Sequence, residues 1–151
     1  MAIAVEPALT PHLIVDDAAA AIDFYVKAFD AVELERLPGP DGKLVHAMVR
    51  INGFVVLLND DFPERRGGKS MTPKALGGTP VTIHLTVSDV DAKFQRALDA
   101  GATVVTPLED QYWGGRYGLI ADPFGHQWSL EQPVRQVSAE EMAAAIGQQT
   151  V

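Results

Sequence analysis

Two histidines occupy matching places in a segment that the chain contains twice. His12 lies in Thr10-Pro-His-Leu-Ile-Val-Asp-Asp17, and His84 lies in Thr82-Ile-His-Leu-Thr-Val-Ser-Asp89. Glu131 follows later in the second half. Two imidazoles and a carboxylate form the donor set of a facial triad for non-haem iron or another divalent metal. If the three side chains converge, they would form a metal site. Otherwise they would form the polar lining of a cleft, which is the interpretation we favour.

A second group of residues suited to ligand contact stands in the segment Gln111-Tyr-Trp-Gly-Gly-Arg-Tyr117. Trp113 could stack on a planar ligand, and Arg116 could pair with a carboxylate or a phosphonate. The alternative is structural: Trp113 covers the end of a sheet, and Arg116 bridges to an acidic side chain. The residues alone leave both interpretations open.

Apolar and polar residues alternate around both histidines, which predicts strands with one apolar and one polar face. A helical period follows each of these strands, at residues 18–29 and 90–100. Further strands are predicted in both halves, so that each half reads strand, helix, strand, strand, strand. We expect a single domain over residues 1–151, with the divisions that follow. The first module covers 8–60, a Gly- and Pro-rich linker 61–80, the second module 81–132, and a C-terminal helix 138–147.

The alternation also predicts which side chains share a face. If the apolar set that includes Leu13, Val15, Leu85 and Leu130 packs under the helices, the opposite face carries His12, Asn59, His84 and Glu131. In the third strand, Val45, Ala47, Val49 and Ile51 would face the helices, which leaves His46, Met48 and Arg50 on the opposite face. Three of the four histidines are thereby expected in one concavity.

The composition excludes several classes of function. Twelve Lys and Arg residues against twenty Asp and Glu residues give a net charge of −8, which argues against nonspecific binding to nucleic acid or to anionic lipid. The chain contains no cysteine, so disulfides, thiolate metal sites and cysteine nucleophiles are excluded. No stretch has the apolar length of a membrane span, and the first residues have no signal-peptide pattern. We expect a soluble, cytoplasmic protein.

The order of these segments resembles the vicinal oxygen chelate superfamily, which includes glyoxalase I, bleomycin-resistance proteins and extradiol dioxygenases. The resemblance is carried by Val15-Asp-Asp17, Ala21-Ile-Asp-Phe-Tyr25, Val87-Ser-Asp-Val-Asp91 and Asp122-Pro-Phe-Gly-His126. It implies an α+β fold in which two tandem βαβββ modules form a curved eight-stranded mixed sheet. Helices would cover its convex face, and a concave cleft for a small molecule would close within one chain or across a dimer.

The resemblance also locates the positions where metal-dependent members carry ligands. These positions correspond here to Thr10, Leu57, Thr82 and Ser129. Such side chains do not form a cage of nitrogen and oxygen donors that holds a transition metal tightly. Two residues further along each strand lie His12, Asn59, His84 and Glu131, so a shift in register could create a metal site from His12, His84 and Glu131.

We therefore expect a glyoxalase- and bleomycin-resistance-like protein that binds a small anionic or aromatic molecule without a cofactor. The ligand-binding residues are predicted to be His12, His46, Arg50, Asn59, His84, Trp113, Arg116 and Glu131. The alternative is a lyase, isomerase or dioxygenase that uses a divalent metal at the shifted site. The expected partners are a small molecule and, by resemblance, a second copy of the chain, with no nucleic acid and no membrane.

Overall fold

A computed structural model describes residues 1–149 and contains two βαβββ modules in tandem. The first comprises β1 (His12–Val15), α1 (Ala18–Phe29), β2 (Val32–Pro38), β3 (Leu44–Ile51) and β4 (Phe54–Asp60). The second comprises β5 (Thr82–Thr86), α3 (Val90–Ala100), β6 (Thr103–Asp110), β7 (Gly115–Ala121) and β8 (Gln127–Pro133). A short helix α2 (Pro73–Leu76) lies between them, and α4 (Ala139–Gly147) follows them. The predicted α+β class and the tandem modules are confirmed.

The two modules have the same strand order. The first sheet runs β1-β4-β3-β2 and the second runs β5-β8-β7-β6. In each sheet the first and last strands of the module pair in parallel, and the remaining neighbours are antiparallel. Within residues 1–149 the eight strands are therefore hydrogen-bonded as two four-stranded sheets and not as one continuous sheet.

Each sheet has a helix side, which packs against α1 and α3, and an opposite face that we call the open face. Leu13 and Val15 on β1 are 6% and 0% exposed, whereas His12 beside them is exposed. Leu85 on β5 is buried between exposed His84 and Thr86. The period-two prediction therefore selects the correct faces for the first strand of each module.

The start of β3 departs from the predicted alternation. A register shift lies at this point, because Leu37 pairs with His46 while Pro38 pairs with Leu44. Leu44 is 3% exposed and takes the core position. Val45 instead lines a pocket with Ile14 and Asn59 at the open face. The prediction that Val45 faces the helices is wrong, since the bulge rotates it by one position.

The segment between the modules contains two short helical elements. A 3₁₀ turn spans Pro63–Arg66, and α2 is capped by the Thr72 hydroxyl, which accepts from the Ala75 amide. Asp60, at the end of β4, is only 6% exposed and accepts hydrogen bonds from the Ala18 and Leu44 amides at 2.8 and 2.6 Å. Asp60 therefore fastens the start of α1 to the start of β3.

The two modules are joined through buried polar and aromatic contacts. Trp128 on β8 has no exposed surface, and its ring lies 5.3 Å from Tyr25 and 4.9 Å from Phe29, both on α1. Asp122 accepts hydrogen bonds from the Tyr25 hydroxyl at 2.7 Å and from the Trp128 indole at 2.9 Å. Burial raises the pKa of the Tyr25 phenol well above its usual value, and the neighbouring Asp122 carboxylate adds to the rise.

A further bond between the modules involves the turn at residues 122–126. The His126 ring lies 2.8 Å from the Ile14 carbonyl, and because a carbonyl only accepts, the ring nitrogen Nε2 is the donor. The His126 amide also donates to Asp122 within the turn. His126 is thus a structural residue of this turn.

The C-terminal helix α4 begins after Ser138, whose hydroxyl accepts from the Glu141 amide at 3.1 Å. No helix in residues 1–149 combines the length and the apolar character that a bilayer crossing requires.

Candidate functional site

Side chains from three adjacent strands meet on the open face of the second sheet. Ser129 on β8 lies opposite His84 on β5 and Leu119 on β7. The next row on this face brings Glu131 opposite Thr86 and Tyr117. His84 Nδ1 lies 2.7 Å from the Ser129 hydroxyl, and Ser129 is 1% exposed. The hydroxyl thus fixes the orientation of an imidazole whose outer side stays accessible.

Aromatic rings surround this hydrogen bond. The His84 and Tyr117 rings are stacked, with centroids 6.2 Å apart and an angle of 18° between their planes. Trp113 meets the edge of Tyr117 at 5.7 Å and 74°. The Trp113 indole N–H donates to the Glu131 carboxylate at 3.0 Å. We call His84, Trp113, Tyr117, Ser129 and Glu131 the aromatic site.

Glycine is required where the loop enters β7. A Cβ on Gly115 would lie 2.6 Å from the Glu131 carboxyl carbon and 2.8 Å from Trp113 Nε1. Gly114 has a φ of 95°, and a Cβ there would lie 2.3 Å from the Arg135 carbonyl oxygen. The pair of glycines lets Trp113 lie close over the sheet and reach Glu131.

Two members of the aromatic site were not among the predicted site residues. Tyr117 is the last residue of the aromatic segment 111–117, and the resemblance gives Ser129 only as a metal-ligand position. The alternation of side chains in β7 could have identified Tyr117, because Gly118 and Ile120 face the helices and Tyr117 must therefore face the other way. A Cβ on Gly118 would meet the Phe94 ring at 2.5 Å, which places Gly118 on the helix side.

Arg116 lies on the helix side and not in the aromatic site. Its Nη2 is 2.9 Å from Asp91 Oδ1, and its Nη1 is 3.2 Å from Asp110 Oδ1. The hydrogen bonds to these two carboxylates raise the pKa of Arg116 above its usual range. The prediction that Arg116 binds an anionic ligand is corrected here: its neighbour Tyr117 takes the open face, and Arg116 bridges two acidic side chains.

The open face of the first sheet carries a different set of side chains. His12 Nε2 lies 2.5 Å from the Asn59 amide oxygen, and the Asn59 NH₂ donates to the Asp60 carbonyl at 2.7 Å. His46 Nε2 lies 3.3 Å from Glu35 Oε2. Arg50 is exposed and pairs in register with Val55 of β4. The predicted residues of this half share one face, on which apolar Val45 and Leu57 also lie, and none of them belongs to a group of stacked rings like that of the second sheet.

The donor set does not fit a metal ion. Threonine, leucine, threonine and serine occupy the positions that the resemblance assigns to ligands. At the shifted positions, His12 binds Asn59 in the first sheet, while His84 binds Ser129 and Glu131 binds Trp113 in the second. Throughout residues 1–149, no three His, Asp or Glu side chains lie together in a way that could hold a metal. The chain does not bring His12, His84 and Glu131 together as one ligand set.

Two βαβββ modules, each with one helix side and one open face that carries polar or aromatic side chains, define a protein of the vicinal oxygen chelate class. The chain belongs to the glyoxalase/bleomycin resistance protein/dioxygenase superfamily, whose family model matches residues 6–130. This match spans both modules and the segment between them, and it confirms the resemblance drawn from the sequence.

Related proteins span nearly the whole chain. An uncharacterized protein of Mycobacterium bovis is 76% identical over 149 residues, which cover 99% of this chain and 98% of the relative. The crystal structure of TioX from Micromonospora sp. ML1 has 32% identity and a TM-score of 0.65, and the match covers 85% of this chain and all of TioX. TnmS3, an antibiotic binding protein from Streptomyces sp. CB03234, has 27% identity and a TM-score of 0.62 over 87% of this chain and 99% of TnmS3.

Proposed function

We propose that the protein binds an aromatic small molecule at the aromatic site. The observation that carries the proposal is the arrangement of Trp113, Tyr117 and His84, which present ring faces and edges on one open face and are held in place by Ser129 and Glu131. Rings held in this way bind planar molecules by stacking without first losing conformational freedom. The likeness to TnmS3, an antibiotic binding protein, supports the binding of a small molecule.

The polar groups of the site define how such a ligand would be oriented. Glu131 uses one carboxylate oxygen, Oε2, for the Trp113 indole, which leaves Oε1 to accept from a hydroxyl or amine of the ligand. His84 uses Nδ1 for Ser129, which leaves Nε2 for a second contact. An aromatic body with polar substituents therefore matches the site better than a purely anionic molecule. His12, His46, Asn59 and Arg50, on the first sheet, are proposed to contact an acidic substituent where the cleft brings the two open faces together.

We further propose that the cleft closes by association of two copies of the chain. Neither α1 nor α3 covers the open faces, and large apolar side chains are exposed near the sheets, among them Leu9, Phe54, Val81 and Leu37. Exposed apolar surface of this kind is typical of protein interfaces. Light scattering on the purified protein should give twice the chain mass of 16.3 kDa, and a monomer at micromolar concentration would contradict this part of the proposal.

The chain contains a built-in reference for testing the aromatic site by fluorescence. It has two tryptophans, of which Trp113 lies in the site and Trp128 is fully buried between the modules. Titration with 8-anilinonaphthalene-1-sulfonate and with a panel of planar antibiotics should quench the Trp113 emission. Trp113→Ala should remove the quenching and weaken binding about tenfold or more, because the stacking surface is lost.

Two matched variants sharpen this test. Trp113→Phe keeps a ring but loses the indole N–H, so its affinity should lie between those of the wild type and Trp113→Ala. Arg116→Met changes the adjacent strand position on the opposite face and should leave the affinity unchanged. Binding that survives Trp113→Ala, or that fails in Arg116→Met, would overturn the assignment of the site.

The alternative predicted from the sequence, a metal-dependent enzyme that uses His12, His84 and Glu131, requires these three side chains to meet, which they do not within one chain. Metal content of protein purified without chelator separates the two, together with the His84→Ala variant. Stoichiometric metal that disappears in His84→Ala would replace the binding proposal by the enzymatic one. Aromatic binding that is unaffected by EDTA would support the binding proposal.

A further inference from the structure

A pocket of about 330 Å³ lies at the seam between the two modules, on their helix sides. Its floor is formed by core residues of both modules, Ala28 and Ile51 from the first and Leu85 and Leu130 from the second. Each of these four residues is less than one-tenth exposed. A molecule in this pocket would therefore contact the hydrophobic cores of both halves at once.

The rim of this seam pocket is positive, although the chain as a whole carries a net charge of −8. Two exposed cationic side chains of α3, Lys93 and Arg96, line it together with one acidic residue, Asp30. Asp30 is 3.6 Å from Arg96, and Arg96 also donates to the Lys27 carbonyl at 2.6 Å. Within residues 1–149, Lys93 forms no ion pair. The Lys93 ammonium group is thus available at an apolar pocket.

We propose that the seam pocket binds a small amphipathic anion, a monocarboxylate with an aliphatic or aromatic body of roughly eight carbon atoms. The body would occupy the space above Leu85, Leu130 and Phe29, and the carboxylate would lie at the rim against Lys93. Lys93 and Arg96 are three residues apart on α3 and so share one side of the helix. A carboxylate beside Lys93 would therefore also be close to the Arg96 charge.

This pocket is separate from the aromatic site. His84 and Leu85 are adjacent in β5 and point to opposite faces of the second sheet, as do Glu131 and Leu130 in β8. The aromatic site uses the first member of each pair, and the seam pocket uses the second. Occupancy of one can be tested without disturbing the other, and neither proposal depends on the other.

Octanoate and its neutral analogue octanamide are suitable probes for calorimetric titration against the full chain. Octanoate should bind, and octanamide should bind at least tenfold more weakly because it lacks the charge. Lys93→Met keeps the length of the side chain and removes its charge, and it should weaken octanoate about tenfold while leaving octanamide unchanged. Lys69→Met, which removes an exposed charge from the segment between the modules, serves as the matched control and should bind octanoate like the wild type.

Two further measurements keep the outcome decisive. Trp113→Ala should not change octanoate binding, and Lys93→Met should not change the binding of 8-anilinonaphthalene-1-sulfonate at the aromatic site. Octanoate affinity that is equal in the wild type and Lys93→Met, or equal for octanoate and octanamide, would overturn the proposal. So would the absence of any binding heat at millimolar octanoate in a protein whose melting temperature shows it to be folded.

Discussion

The two sheets share a backbone plan and a repeated histidine, yet their open faces differ in chemistry. His84 has a serine directly opposite on the last strand of its module, so it bonds across to Ser129 and leaves Glu131 for Trp113. His12 has Leu57 opposite and bonds instead to Asn59, one layer further along. The difference between Ser129 and Leu57 at this strand position therefore changes the hydrogen-bond partner of the histidine. In the second sheet it also leaves the Glu131 carboxylate to accept from Trp113. The fold supplies the positions, and the side chains decide what each half can bind.

The same contrast holds on the helix sides, where it affects stability most. Trp128, which precedes Ser129, fills the junction between the modules, whereas Val56, which precedes Leu57, occupies the matching place in the first sheet. We expect Trp128→Ala to lower the free energy of unfolding by about 3–5 kcal/mol and Val56→Ala by about 1–3 kcal/mol. Urea unfolding followed by circular dichroism measures both. Equal losses would show that the junction is no more important than either separate core.

The difference between the open faces can be tested by removing each histidine in turn. His84→Ala removes a ring stacked on Tyr117 and should weaken 8-anilinonaphthalene-1-sulfonate binding about tenfold. His12→Ala should weaken binding less, by about threefold, because this ring would contact only the sulfonate group of the probe and stacks on no aromatic ring. Fluorescence titration of both variants decides this. If the two losses are the same, the ligand is held equally by the two sheets and the contrast fails.

A smaller effect concerns the phenol that joins the modules, and it depends on pH. The pKa of Tyr25 is higher in the folded chain than the value of about 10 of an unfolded tyrosine. The stability that this difference provides is complete below pH 10 and is lost as the pH rises, because the unfolded chain releases the proton first. The wild type should therefore lose about 1 kcal/mol more than Tyr25→Phe between pH 9 and pH 11.

Chemical unfolding of the wild type and of Tyr25→Phe at several pH values tests this expectation. Tyr25→Phe is less stable at neutral pH because Asp122 loses a hydrogen bond, and the gap between the two should narrow as the solution becomes alkaline. Parallel curves would mean that the phenol ionises in the folded state as easily as in the unfolded one. Tyr112→Phe, which changes a tyrosine outside the junction, provides the control.

The sequence predicts the modules well because both carry strong local signals. Alternation around His12 and His84 identifies the open faces, and the repeat identifies the matching strands. The prediction fails where a single residue changes the register, as at Val45, since one bulged position reverses the face of its neighbours without altering the composition. Arg116 was misplaced for a related reason. Its partner Asp91 is distant in sequence, and its partner Asp110 lies across a turn at the end of β6. No local sequence pattern predicts either ion pair.

The aromatic site was predicted only in part. Trp113, His84 and Glu131 were each identified, but their association depends on the glycines that bring the loop down onto the sheet. Ring stacking between His84 and Tyr117 depends on the register of three strands, which alternation within one strand does not define. Asp60 is buried because it accepts from the Ala18 and Leu44 amides, and no local sequence pattern predicts these two contacts between separate elements.

The hydrogen bonds that Asp122 receives from Tyr25 and Trp128 have a consequence for cooperativity. If the first module opened alone, it would leave a buried carboxylate without one of its donors and would expose the tryptophan that packs on α1. Opening of one module alone therefore costs additional free energy. The backbone amides of the two modules should lose protection from hydrogen exchange together. The duplicated segments are two units of sequence but one unit of folding, and a half of this chain expressed alone would lack the contacts that stabilise it.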